Sequence, residues 1–209
     1  ILGAEESCTG DPAKRAGNEF AFMMQAIQNI ELLKGYEIQK IVTGCPHCFN
    51  TLKNEYPELG ADFEVVHHTQ LINQLIREGR LLLKGGGKFE GKKITFHDPC
   101  YLGRANDVYE APREVLEKID AELVEMKRSK AKGLCCGAGG AQMFKDAEKG
   151  NKEINIERTQ DAIEVNADYI ATGCPFCNTM MTDGIKHFEK EEKVKVLDIA
   201  ELISNAADL

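Results

Sequence analysis

Apolar positions early in the chain recur at three- and four-residue steps, and between such stretches lie short β-branched runs that end at glycine and cysteine. Phe20, Met23, Met24, Ile27, Ile30 and Leu33 keep the helical spacing. They predict one helix from about Ala13 to Leu33 with a single buried face, stopped at Gly35. On this reading Phe20, Met23 and Met24 are core, not a cofactor box. Ile38 to Thr43 is a β-rich run that delivers Gly44-Cys45-Pro46-His47-Cys48, where a further helix begins. Phe63 to His67 reads as a strand, and Thr69 is placed to cap a helix from Gln70 to Glu78.

The second part of the chain alternates in the same way. Lys93 to His97 reads as a strand ending at Asp98-Pro99-Cys100, and Pro112 opens a helix to about Ile119. Leu123 to Met126 is a strand, followed by a basic loop and Cys135-Cys136. Asn151 to Glu164 is helical, with Ile154, Arg158 and Ala162 on successive turns. Tyr169 to Thr172 is a strand before Gly173-Cys174-Pro175-Phe176-Cys177, a helix runs on to about Phe188, Val194 to Leu197 is a strand, and a last helix starts at Ile199. Short strands alternating with helices predict an α/β fold of small parallel sheets flanked by helices. Ligands in such sheets sit at the carboxyl ends of the strands. Cys45, Cys100 and Cys174 each follow a predicted strand.

Two stretches are nearly the same text. Ile41 to Thr51 matches Ile170 to Thr179 apart from one inserted residue near Phe49, and Val65-Val66-His67 parallels Val196-Leu197-Asp198. Carried back along the chain, this alignment sets Cys8 opposite Cys136 and Ser7 opposite Cys135. Two tandem homologous lobes follow. Lys84-Gly85-Gly86-Gly87-Lys88 is the best linker, giving a first lobe at 1–84 and a second at 85–209. The first lobe has nothing that matches Lys93 to Cys100. The repeat places that part ahead of Ile1, so the first lobe is expected to be incomplete at its N-terminus, within a longer protein.

Composition narrows the function classes. A formal charge of −8 argues against nucleic acid or an anionic membrane surface as partner. No apolar run approaches the roughly 18 residues that cross a bilayer. The 8 cysteines can be read as disulfides of a secreted protein or as metal ligands. An ordinary core, the absence of a signal-peptide pattern, two Cys-x-x-Cys units and an adjacent pair favour ligands. The expected place is the cytoplasm, or the cytoplasmic face of a membrane complex.

The second lobe carries Cys100, Cys135, Cys136, Cys174 and Cys177. Five thiolates exceed the four that a tetrahedral zinc site or an ordinary cubane cluster needs. Gly137, Gly139 and Gly140 let backbone approach a bulky inorganic core and offer it amide donors. Zinc held by four of the five is the alternative. His97-Asp98-Pro99-Cys100, Cys135-Cys136-Gly137-Ala138-Gly139-Gly140 and Gly173-Cys174-Pro175-Phe176-Cys177 together resemble the cysteine-rich CCG domain. That domain occurs, usually twice, in heterodisulfide-reductase-type iron–sulfur subunits and in relatives among glycolate or lactate oxidases and anaerobic glycerol-3-phosphate dehydrogenases.

The resemblance covers essentially the whole chain. It implies that these five cysteines hold a noncubane [4Fe–4S] cluster in an oxidoreductase subunit. Electrons would come from a ferredoxin-like module or a flavoprotein and pass to a disulfide or another terminal acceptor. The alternative of another class is a zinc-stabilised binding module without redox activity. The first copy keeps only Cys8, Cys45 and Cys48 as candidate metal ligands, enough with one more thiolate for an ordinary cluster or zinc. His97 and His67, each ending a strand, are the candidate catalytic residues, facing the cleft between lobes with His68 beside them. His47 reads as a neighbour of the ligands and His187 as surface. Arg104 is a candidate to meet an anionic substrate or to hydrogen-bond near the cluster, and Lys127, Arg128, Lys130 and Lys132 form a solvated face, raise the cluster potential or dock an acidic partner.

Overall fold

The computed structural model describes residues 2–83, 87–146 and 149–207. Its frame is a pair of all-parallel sheets. β1 (Lys40–Thr43) pairs with β2 (Glu64–His67), in register from Lys40–Glu64 to Thr43–His67. The larger sheet runs β4-β3-β5-β6, built from β3 (Lys93–Phe96), β4 (Glu122–Leu123), β5 (Tyr169–Thr172) and β6 (Lys195–Asp198). β5 and β6 pair from Tyr169–Lys195 to Thr172–Asp198, the same register as β1 and β2. Cys45, Cys100 and Cys174 all come just past the carboxyl ends of β1, β3 and β5, as the parallel α/β reading requires.

The helices are α1 (Asp11–Arg15), α2 (Glu19–Gly35), α3 (Pro46–Asn50), α4 (His68–Arg77), α5 (Glu110–Leu116), α6 (Ile154–Glu164), α7 (Pro175–His187) and α8 (Ile199–Ala207). β1-α3-β2-α4 therefore repeats as β5-α7-β6-α8. The backbone agrees at finer scale, because Glu37 (φ 54°) and Asn166 (φ 52°) turn left-handed at the same point between helix and strand. The copies differ in that α3 passes into a π-helical turn, Thr51–Glu55, whereas α7 runs unbroken.

Both faces of β3 and β5 are covered, which is why Ile94, Thr95, Phe96, Ile170, Ala171 and Thr172 are all buried. Phe96, Val115, Leu116, Ala171, Ile199 and Leu202 form the main core, and Ile72 and Ile76 of α4 pack on it from the smaller sheet's side. Asn73 and Arg77 of α4 both bond Glu114 of α5, at 2.5 and 2.6 Å. In return Leu102, from the turn after Cys100, is inserted into the core of Phe22, Phe49, Leu52, Tyr56 and Val65. At the α6–α7 crossing a Cβ on Gly184 would lie 2.0 Å from Thr159 Oγ1, so only glycine permits this approach despite its cost inside a helix.

Several expected boundaries move. The helix expected from Ala13 to Leu33 is two helices, broken at Gly17 (φ 82°) and restarted by Asn18, whose Oδ1 accepts from Ala21 N at 3.1 Å. Its buried face is Phe22, Ala26, Asn29 and Ile30, and Phe20 is 77% exposed, with Met23, Met24 and Ile27 also at the surface. The helix is apolar on more than one side, and Asn29 chooses the side that goes in. Its Nδ2 donates to Cys8 O at 2.9 Å and Tyr56 Oη at 3.0 Å, and Ser7 Oγ donates to its Oδ1 at 2.7 Å. α4 starts one residue before Thr69, capped by His67, whose N–H donates to Gln70 Oε1 at 3.0 Å. α5 starts before Pro112, β4 is only two residues long, and α6 starts at Ile154 rather than Asn151. Of the linker at Lys84 to Lys88, residues 84–86 lie outside the described residues.

Candidate metal centre

The strand end His97-Asp98-Pro99-Cys100 is pinned by ion pairs. Arg113 binds both oxygens of Asp98, at 2.8 and 3.0 Å, and both of Glu125, at 2.6 and 3.0 Å. The backbone N–H of Lys130 also donates to Asp98, at 2.7 Å. One buried carboxylate thus ties the Cys100 loop to α5 and to the loop that leads into the doublet. Arg104 donates to Gly133 O in that same loop, a hydrogen bond close to the doublet. The basic loop is neutralised at Arg128, which binds Asp161 at 2.6 and 2.9 Å and Glu157 at 2.7 Å. Lys127 pairs with Asp161 and Glu164, and Lys130 with Glu110.

At the doublet, Gly137 adopts φ 92° and its N–H donates to Cys135 Sγ at 3.3 Å. A Cβ there would meet Ile154 Cβ at 3.2 Å, so glycine answers both the conformation and the close approach. Cys174 caps α7 and Pro175 occupies its first turn, which turns Cys177 inward. Doublet and clamp meet where Cys177 Sγ lies 3.3 Å from Cys136 Sγ.

All five thiols join one array. Cys100 and Cys136 engage Cys135 and hold its thiol well below the usual range, and Cys177 and Cys45 do the same for Cys174. Contact with Cys135 pushes Cys136 up to about 12, and contact with Cys174 pushes Cys45 up to about 11. Cys136, Cys174 and Cys177 are buried, while Cys100 and Cys135 are half-buried. Beside them His97 Nε2 is buried with no hydrogen-bond partner, and a nitrogen of the same ring lies within 4.8 Å of the sulfurs of Cys136 and Cys177. Converging soft donors with an unsatisfied buried N–H at their edge fit a sulfur-ligated metal group, whose binding would release the thiol protons. An open groove of about 550 Å³ lies next to the doublet, lined by Gly137, Met143, Asn155 and Met180 and by none of the five cysteines.

His67, His68 and His47 lie where the lobes meet, whereas His97, expected at the same cleft, sits inside the second lobe against Arg158 and the thiols. His67 is fully buried, with Nδ1 on Thr69 Oγ1 at 2.7 Å, and its Cε1 is 3.4 Å from where a Cβ on Gly173 would sit. His68 Nε2 reaches Asp198 Oδ1 of β6 at 3.0 Å. Burial, with the charge of His68 next in size, pushes His67 down to about 3; burial and then the charge of Arg158 do the same for His97. Both rings are neutral at ordinary pH. His47 is buried and bonds Asp11 Oδ2 at 2.9 Å. It also packs on Tyr101 at 4.5 Å and on Phe176, inside the opposite clamp, at 4.9 Å. His187 is exposed, as expected. Asp98, Arg113, Arg158 and Asp11 had no role in the sequence reading. A charged residue looks the same in the text whether buried or solvated, although Asp98 does stand inside the motif.

The first copy is realigned by the structure. Gly10 has φ 86° and donates its N–H to Cys8 Sγ at 3.4 Å, as Gly137 does to Cys135. Thr9 Oγ1 lies 3.4 Å from Cys48 Sγ, as Cys136 lies 3.3 Å from Cys177. Cys8 therefore answers Cys135, not Cys136, and Thr9 stands in place of Cys136. The alignment carried from the clamp was one residue out, because the segments between doublet and clamp differ in length. Cys8 is exposed, Cys45 and Cys48 are half-buried, and Cys45 touches its own counterpart, Cys174.

The model of the cysteine-rich domain family CCG matches residues 1–53 and 94–182. The chain is 46% identical over 207 residues to the probable iron-sulfur-binding oxidoreductase FadF of Bacillus subtilis (strain 168), a match over 99% of this chain and 29% of that protein. It is 42% identical over 213 residues to the EtfAB:quinone oxidoreductase of Syntrophomonas wolfei, over 99% of this chain and 29% of that protein. It is 36% identical over 220 residues to one component of the dihydromethanophenazine:CoB--CoM heterodisulfide reductase of Methanosarcina barkeri, over 100% of this chain and 51% of that protein. The chain spans between 29% and 51% of the length of these relatives. With the doublet, clamp and strand-end cysteines gathered as the motif requires, the chain belongs to the cysteine-rich CCG domain family.

Proposed function

We propose that this chain is the iron–sulfur part of an oxidoreductase, in which Cys100, Cys135, Cys136, Cys174 and Cys177 hold a noncubane [4Fe–4S] cluster. The observation that carries this reading is the continuous thiol array, closed by the 3.3 Å approach of Cys177 to Cys136. Bound there, the cluster supplies one-electron transfer. The chain's own residues fix its surroundings. Asp98 and Arg113 hold the Cys100 loop, Gly137 gives an amide to Cys135, and Phe176 of the clamp packs edge-on against His47. His97 inside the second lobe and His67 at the lobe boundary, both buried and neutral, serve the site as fixed hydrogen-bonding groups. Cys8, Cys45 and Cys48 offer three thiolates to a second metal group, an ordinary cluster or zinc, which a fourth ligand would complete.

Electron donors of the ferredoxin or flavoprotein type suit this arrangement, at a site in the cytoplasm or on the cytoplasmic face of a membrane complex. The acceptor is a disulfide, as the heterodisulfide reductase name suggests, or a quinone-linked carrier. A disulfide would take two electrons and two protons to give two thiols. Among the described residues no helix is long and apolar enough to cross a membrane. Anaerobic purification followed by iron, sulfide and zinc analysis and electron paramagnetic resonance tests the reading. A coloured protein with iron and sulfide in equal amounts is expected, and a colourless protein holding only zinc would falsify it.

A further inference from the structure

His97 at the end of β3 and Arg158 on α6 are both fully buried. Arg158 Nε donates to His97 Nδ1 at 2.9 Å. A guanidinium has N–H donors only, so this contact requires a lone pair on Nδ1, and the single proton of the neutral ring is on Nε2. An imidazolium would set a second N–H against the first and is excluded on the same ground. Nε2 is the ring atom that has no partner, and the His97 ring brings a nitrogen within 4.8 Å of the sulfurs of Cys136 and Cys177. Carrying a proton, Nε2 cannot ligate a metal and can only donate.

Arg158 is itself held independently of His97. Its Nη1 donates to Arg128 O at 2.6 Å and to Asp161 Oδ2 at 3.3 Å, and Asp161 is gripped in turn by Arg128. A guanidinium buried this deeply is costly unless its donors are used; Nε and Nη1 are used while Nη2 has no partner, and the donor on His97 is the one that bears on the thiols.

We propose that Arg158 is a positioning residue that fixes His97 as a hydrogen-bond donor to the Cys136 and Cys177 sulfurs, and so raises the reduction potential of the cluster they carry. The proposal rests on the iron–sulfur reading above. A donor to sulfur stabilises the more negative, reduced state, and such bonds are among the groups that set cluster potentials.

Two measurements on the full chain test it. Nitrogen NMR of protein labelled at histidine, before cluster loading, should show His97 with its proton on Nε2. Arg158→Met should abolish that preference, and Arg158→Gln, which keeps a donor, should retain it. Potentiometric titration of the loaded protein should show a lower potential in both His97→Phe and Arg158→Met. The expected fall is about tenfold in the one-electron equilibrium, or ~59 mV. The double variant should fall no further than either single one. A wild-type ring protonated on Nδ1, or potentials unmoved by both substitutions, would overturn the proposal. A protein that carries zinc alone would sink the redox reading, and the labelling result would still decide whether Arg158 sets the ring.

Discussion

Cys136 meets Cys177 in the second lobe at 3.3 Å, and Thr9 meets Cys48 in the first at 3.4 Å, on the same backbone turn with the same left-handed glycine. One position has exchanged a thiol for a hydroxyl while the frame around it has kept its shape. The difference is chemical, because threonine does not ionise at ordinary pH and a thiolate is a soft ligand. The frame around this position is therefore kept where the thiol it holds in the second lobe is not. The contact of Cys45 with Cys174 sets the unequal sites back to back at the lobe boundary.

The largest test of this contrast is Cys135→Ser, which should abolish the second lobe's iron–sulfur signal, whereas its counterpart Cys8→Ser leaves that signal intact. Equal loss from both would mean that the two sites are one. A finer test copies the first lobe into the second: Cys136→Thr should keep much of the bound iron but erase the noncubane signature in paramagnetic resonance spectra. An unchanged spectrum would remove Cys136 from the ligand set. Leu102→Ala probes how far the lobes depend on each other, since this fully buried side chain of the second lobe fills the core of the first. Denaturation should show a loss of about 2–5 kcal/mol, and α2 should lose protection from hydrogen exchange.

The smallest expected effect concerns acid. Burial pushes Asp161 up, but the hydrogen bonds and charge of Arg128, with Arg158 and Lys127, outweigh it and hold the carboxyl below its usual range. A group whose pKa is lowered on folding stabilises fully above its unfolded value, ~3.9, and loses that contribution as pH falls through the folded one. Wild type should thus lose stability below about pH 4 faster than Asp161→Asn. Parallel acid limbs would show that the surroundings of Asp161 do not favour its charged form.

The site was more legible in the sequence than the packing. Cysteine chemistry is local to the residue, so the five cysteines that the fold gathers and the clamp repeat are legible directly, and β5 falls where the pattern sets it, Tyr169–Thr172. The buried face of α2 is not legible, because apolar side chains surround that helix and a polar residue, Asn29, decides which side is inside. Cys8 was set one place out because an alignment started at one motif drifts across a loop of unequal length. Arg158 was read only as a helical position, since nothing in the text separates an arginine that orients a buried imidazole from one that meets water.

Gly184 bears on tolerance to change. α6 carries Arg158 and α7 begins at the clamp, so the distance between these two helices is also the distance between the imidazole's anchor and the ligands. With 2.0 Å available where a side-chain carbon would stand, a single methyl forces that spacing apart. A chain with all eight cysteines intact can thus lose its centre through a substitution two turns away from any of them. Variants of this protein sorted by their ligands alone would miss that failure.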